Sequence, residues 1–268
     1  MSAQHILGLE KVPRVTAFAP PNKISELNQP ITVEPKCKKL YNLCNGEYRG
    51  KLMTKEISSR EKEIILGTIL GDGHLAMLKS NARLEVNHSE NQRDYVMWKY
   101  NELQNLSGAK PHAIHIFDKR YNKTYRQLRF STKVHSEFTQ FHQIFYRDLK
   151  KIVPKNIKKV LTSPLSLAVW FMDDGGRRND SYGLFLNTLS FTKEEHKLLR
   201  EALKVNFSLE SGLHWIQDGY RIYIPSNNAE KFCRLVYPHM IPSMYYKLSF
   251  NPVTTSYARL DRARDRKT

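Results

Sequence analysis

From residue 58 onward the apolar and polar positions fall into blocks whose period switches between that of a helix and that of a strand. Ser58-Ser59-Arg60-Glu61 stands ahead of an apolar run from Ile64 to Leu70, which stops at Gly71-Asp72-Gly73. A hydroxyl before a helix accepts an orphan amide hydrogen bond and a Glu in the first turn returns one, so the segment predicts a capped helix. Strand-like pieces follow at His74–Leu78, Arg83–His88, Ala113–Asp118 and Tyr125–Phe130, with a helix over Gln92–Leu106 between the second and third. Phe138, Phe141, Ile144, Phe145 and Leu149 recur at helical spacing and predict a helix over Ser136–Leu149.

The order then recurs. Ser163-Pro164 opens a helix, with proline tolerated in its first turn. It runs to Met172 and ends at Asp173-Asp174-Gly175-Gly176. A strand over Gly183–Thr188 follows, then a helix over Thr192–Asn206 opened by Thr192 and Glu195. Strands Leu213–Gln217 and Tyr220–Ile224 and a helix over Asn228–Tyr237 complete the series. Each half reads helix, two strands, helix, two strands, helix, and Asp174 follows Asp72 by 102 residues. Two copies imply two similar units about a pseudo-two-fold axis, not a solenoid. The expected divisions are a first unit at 56–160 and a second at 161–255, with an N-terminal extension at 1–55 and a basic tail at 256–268. Pro13, Pro20, Pro21, Pro30 and Pro35 and weak periodicity make residues 1–50 an extended or partly disordered arm.

Charge narrows the partner. Lys and Arg number 43 against 26 Asp and Glu, a net charge of +17 that attracts polyanions over long range. Nucleic acid is the expected partner. No apolar run is long enough to span a bilayer and no strongly basic amphipathic helix stands out, so a membrane is not expected. The N-terminus lacks the basic start and apolar stretch of a secretory signal, which gives the expectation of an intracellular protein. Cys37, Cys44 and Cys233 form no C-x-x-C pair, against a disulfide framework or a structural zinc site.

The two apolar helices carry the chemistry. Ile65–Leu70 and Leu167–Met172 are apolar nearly all round, which requires burial on most faces. Gly67 and Gly71 share one face and let another backbone approach, with Ala168 a small residue on the second helix. Each helix delivers a carboxylate, Asp72 or Asp174, at its C-terminal end. That is the unfavourable end of the helix dipole, and a divalent cation is the simple compensation.

Both segments resemble the LAGLIDADG motif, with its acidic eighth position at Asp72 and Asp174. Ser166–Gly176, Leu186–Phe191 and Ile241–Leu248 extend the likeness to the two-motif, group I intron branch of LAGLIDADG homing endonucleases, over about residues 58–250. Thr68 and Leu70 depart from the family letters. The resemblance implies an α+β fold of two pseudo-symmetric αββαββα units, paired motif helices at the seam and saddle-shaped antiparallel sheets over DNA. It implies cleavage of double-stranded DNA by Mg²⁺, or Mn²⁺ in its place, since hard carboxylate ligands suit these ions. The ligands would be Asp72 and Asp174 together with Gly71 and Asp173 at the preceding position. Asp173 is the rival acid of the second motif.

The family also places a basic residue near each centre. Lys247 in Tyr245-Tyr246-Lys247-Leu248 resembles the second, and Lys151 resembles the first, with Lys150, Lys158 and Lys159 as rivals. Strand positions that alternate with apolar ones are expected to read bases: Arg83, Glu85 and Asn87, Gln127 and Arg129, and Arg221 and Tyr223, with His115 as a further contact. Trp98, Trp170 and Trp215 read as core or half-buried packing. The expected activity is monomeric, site-specific cutting at a long asymmetric site that promotes intron homing, in an organelle or a bacterial cytoplasm. The alternatives are an RNA-binding maturase acting on host intron RNA and a DNA-binding protein without cleavage.

Overall fold

Paired caps set the helices in place. In the computed structural model, which describes residues 56–216 and 219–249, helix α1 (Ser59–Leu70) begins at Ser58, whose hydroxyl accepts from the Glu61 amide at 3.2 Å while Glu61 accepts from the Ser58 amide at 2.8 Å. Thr192 and Glu195 make the same reciprocal cap on α6 (Lys193–Phe207). Ser163 caps α5 (Pro164–Asp174), with Pro164 in its first turn. The arm and Cys37 and Cys44 near the N-terminus, and the basic tail at 256–268, lie outside the described residues.

Between these helices stand two antiparallel four-stranded sheets of the same design. The first joins β1 (His74–Met77), β2 (Ala82–Ser89), β3 (His112–Asp118) and β4 (Lys123–Ser131) in the order β1-β2-β4-β3. The second joins β7 (Gly175–Arg177), β8 (Leu184–Leu186), β9 (Gly212–Ile216) and β10 (Gly219–Ile224) in the order β7-β8-β10-β9. Helix α2 (Arg93–Glu102) divides the two hairpins of the first half as α6 divides those of the second, and α3 (Ser136–Phe145) and α7 (Ser226–Val236) close them. The architecture is therefore α+β, with two pseudo-symmetric units. One continuous core holds Leu84, Val86, Leu128 and Phe130 from the first sheet, Leu184, Leu186, Ile222 and Ile224 from the second, and Trp170 at zero exposure.

The motif helices α1 and α5 form the seam. A methyl group on Gly67 would lie 2.5 Å from the Ser166 carbonyl oxygen and 2.6 Å from Val169 Cβ. A methyl on Gly71 would lie 2.4 Å from Asp173 Cβ. The glycines thus meet Ser166, Val169 and Asp173, with the Ser166 hydroxyl donating to the Glu63 carbonyl at 2.8 Å.

Several boundaries differ from the sequence reading. Helix α3 stops at Phe145 instead of continuing to Leu149, and the chain turns through the short strands β5 (Tyr146–Arg147) and β6 (Lys150–Lys151). Asp148 and Leu149 sit in the left-handed region at φ 48° and 62°, and Leu149 is 94 % exposed. The hairpin carries Lys151 back to the motif, which a continued helix could not do. Helix α2 is shorter than expected and follows a 3₁₀ turn at Glu90–Gln92; a four-residue helix, α4 (Ile157–Val160), precedes α5. Strand β7 begins with two glycines, which have low strand propensity and hide it from periodicity. Trp215 is not core: it is 61 % exposed and meets the Tyr220 ring edge-on at 4.8 Å.

Candidate active site and nucleic-acid interface

Asp72 and Asp174 stand at corresponding ends of the seam helices, immediately after Gly71 and Asp173. The backbone end of each helix is met by an ammonium. Lys151 donates to the Gly71 and Gly73 carbonyls at 2.7 and 2.9 Å. Lys247, on the 3₁₀ turn Pro242–Lys247, donates to the Met172 carbonyl and to the Asp173 carbonyl at 2.7 Å. Cations there oppose the negative end of the dipole. Lysine, before any metal, thus offsets part of the electrostatic penalty seen in the sequence. Lys150 and Lys159 are exposed and Lys158 pairs with Glu201 at 2.7 Å, so Lys151 is the one of the four that these hydrogen bonds bring to the motif. Burial depresses both Lys151 and Lys247, while the three aspartates act in the opposite direction.

The acids are not equivalent. Asp173 is fully buried, and both its oxygens are engaged. Oδ1 accepts from Lys99 at 2.7 Å and from the Tyr95 hydroxyl at 2.7 Å; Oδ2 accepts from Lys99 at 2.9 Å and from the Asp72 amide at 3.2 Å. Burial alone would raise Asp173, but the Lys99 ammonium, with the Tyr95 hydroxyl, brings it below the usual carboxylate range. Asp174 is the reverse: burial, then the charges of Asp72 and Asp173, raises it to about 8. Among the hydrogen bonds and ion pairs of the described residues, the Asp174 carboxylate has none, and the Asp72 carboxylate has only His88, whose Nδ1 lies 3.5 Å from Oδ2. Carboxylates short of partners are hard oxygen donors of the kind a divalent cation accepts.

Asp72, His88 and Asp173 offer ligand atoms within 4.8 Å of one another. The Lys99 ammonium, however, already bridges Asp173 and His88, lying 3.2 Å from His88 Nε2. A cation there would have to displace it, so the open coordinating positions are the carboxylates of Asp72 and Asp174. The Gly71 and Asp173 carbonyls, the other expected ligands, face Lys151 and Lys247.

Sequence reasoning missed His88, Tyr95 and Lys99. A signal was present: His88 follows Leu84 and Val86 on the core face of β2, and Lys99 lies on the same apolar stripe of α2 as Tyr95. Burial and the Lys99 charge lower His88 to about 4, which keeps it neutral near pH 7.

One face of the first sheet carries the polar side chains expected to meet bases. The pairing Asn87↔Arg129 puts Arg83, Glu85 and Asn87 on the face of Gln127 and Arg129. Glu85 accepts from Arg83 and Arg129 at 2.6 and 2.5 Å, and Asn87 donates to Gln127. His115 pairs with Arg126, while Ile114 pairs with Gln127, so alternation turns His115 to the opposite face from the other expected contacts; His112, opposite Arg129, takes the polar one. On the second sheet Arg221 pairs with His214 and Tyr223 with Phe185. The Arg221 guanidinium lies 3.4 Å over the Phe185 ring, and that of Arg178 lies 5.6 Å from it. Arg178, Phe185 and His214 were not expected there from the sequence. Stacked arginines and aromatics differ from the Arg–Glu–Arg cluster of the first sheet.

Residues 62–232 match the LAGLIDADG DNA endonuclease family. The cytochrome b mRNA maturase bI2 of Debaryomyces hansenii is 30 % identical over 200 residues, covering 72 % of this chain and 75 % of that protein. A probable intron-encoded endonuclease 1 of Wickerhamomyces canadensis is 30 % identical over 202 residues, covering 73 % and 86 %. The solved structure of the homing endonuclease I-WcaI bound to its DNA recognition sequence superposes with a TM-score of 0.68 at 27 % identity, covering 82 % of this chain and 96 % of that one. Twin motif helices in two like units and a family match across both motifs agree: this chain belongs to the LAGLIDADG DNA endonuclease family.

Proposed function

We propose that the protein is a site-specific endonuclease that hydrolyses both strands of duplex DNA at a long asymmetric site and so promotes intron homing. The observation that carries this reading is the pair of under-partnered carboxylates, Asp72 and Asp174, at the ends of packed helices, each with a lysine, half-buried Lys151 or buried Lys247, at its helix terminus. The two acids would hold divalent metal, Mg²⁺ with Mn²⁺ able to substitute. Such an ion supplies an activated water and charge stabilisation on the leaving oxygen. The chain's own residues hold the rest: Lys151 and Lys247 keep positive charge beside the acids, and the polar sheet faces position duplex DNA. Residues 56–160 and 161–255 would each supply one such half, within a monomer.

The test is incubation with a randomised duplex library in Mg²⁺. Double-strand cutting is expected, with none in EDTA. Asp72→Asn and Asp174→Asn, which keep shape and lose charge, should each slow cutting by more than the roughly 10–100-fold typical of losing an outer-shell partner. Cutting in EDTA, or wild-type rates from either variant, would overturn the assignment. A second reading, assistance to intron RNA splicing, is favoured by the relative named as an mRNA maturase. Splicing assistance that survives Asp174→Asn while cutting is lost would show both functions in one chain.

A further inference from the structure

We propose that His88, held by Lys99 and Asp173, is a positioning residue for Asp72, and that Asp174 has no counterpart, so the two strands are cut by inequivalent centres. The inequivalence rests on the endonuclease reading above; the relay itself is a property of the free protein.

The relay follows from counting donors. An ammonium has three N–H groups and no acceptor. The Lys99 ammonium reaches both oxygens of Asp173, at 2.7 and 2.9 Å, and its remaining neighbour is His88 Nε2 at 3.2 Å. Nε2 must therefore accept, which leaves the ring proton on Nδ1. That nitrogen faces Asp72 Oδ2 at 3.5 Å. The side chain of His88 is only 2 % exposed and that of Lys99 is fully buried, so neither is free to turn into solvent. Asp173 also accepts from the Asp72 amide. Asp72 is thus fixed by its backbone across the seam, with the imidazole set against its side chain.

The second half lacks both holds. Strand pairing fixes the correspondence: His74↔Glu85 in the first sheet matches Gly176↔Phe185 in the second, two residues past each acid. Three positions further along, His88 corresponds to Thr188. Thr188 is too short to reach as an imidazole does, and its hydroxyl is occupied by His196 at 2.9 Å and the Ile222 amide at 3.2 Å. Across the seam, Gly71 stands where the first acid has Asp173 and offers no carboxylate.

His88 variants spare the buried Lys99–Asp173 pair, whose disruption alone would threaten folding. The rate of each strand's cut is measured on a duplex selected from the library, with the two strands labelled separately. His88→Ala should slow one strand by roughly 10–100-fold and leave the other near the wild-type rate. In His88→Asn the amide can take the place of Nδ1–H, so it should recover part of the slowed cut. His88→Gln reaches toward Lys99 but not Asp72, and should not. In the free protein, ¹⁵N NMR should show the Nδ1–H tautomer of His88, and the ¹³Cγ resonance of Asp72 should shift in His88→Ala. Equal slowing of both strands, equal behaviour of Asn and Gln, or an Nε2–H tautomer would overturn the proposal. If the wild type cuts no DNA, the endonuclease reading fails and the inequivalence of cutting with it; the two NMR measurements still decide the relay.

Discussion

Lys247 is a long, flexible side chain held with its ammonium against two backbone carbonyls. A lysine meant only to bind phosphate would gain by staying in water. Under the proposed function, its burial near three aspartates gives it a role in the reacting complex. Lys247→Met should lower the bound-state cleavage rate by roughly 100-fold, the scale of losing one preorganised donor. Single-turnover kinetics at saturating protein separate this from affinity. A lysine that merely touches phosphate would instead lower affinity and reduce the salt slope by about 1, with the bound-state rate intact. Asp173 shows the opposite arrangement: it is an acid in the motif whose oxygens are already engaged by Lys99 and by the Asp72 amide.

At the level of elements, the seam depends on the absence of one methyl group. Replacing an interior helix glycine by alanine ordinarily stabilises by about 1 kcal/mol. At Gly67 the added carbon would fall 2.5 Å from a backbone oxygen, and overpacking of this kind costs about 1–3 kcal/mol. Gly67→Ala should therefore lower thermal stability, and a rise in Tm would show that the helices lie further apart. This close approach was legible in the sequence because two glycines at one helical face have few other uses. The capped helix starts were legible for the same reason, since Ser58 and Thr192 act within their own first turns. The β5–β6 hairpin was not. Phe145 and Leu149 fit a helix by spacing, and only the distant carbonyls of Gly71 and Gly73 explain why the chain turns at residue 146. His88 and Lys99 were hidden similarly, because their partner Asp173 lies in the other half of the chain.

For the whole molecule, the two sheets present different chemistry on corresponding faces. The first offers an Arg83–Glu85–Arg129 cluster and the second Arg178 and Arg221 stacked on Phe185. A homodimer must read two equal half-sites, whereas these faces have no reason to prefer the same bases. One chain should bind one asymmetric duplex, with affinity falling steeply as salt rises, given the net charge of +17. Sedimentation of the complex, with mapping of both cut positions, checks this; two chains on a palindrome would contradict it. The pairing of Asp173 with Lys99 carries a further implication for any gene built by fusing two copies of one half. Two first halves would bury a pair of ammonium groups with no acid to meet them. Two second halves would press aspartate against aspartate where Gly71 now makes room. The halves are complementary parts, and neither could pair with a copy of itself without a change at this position.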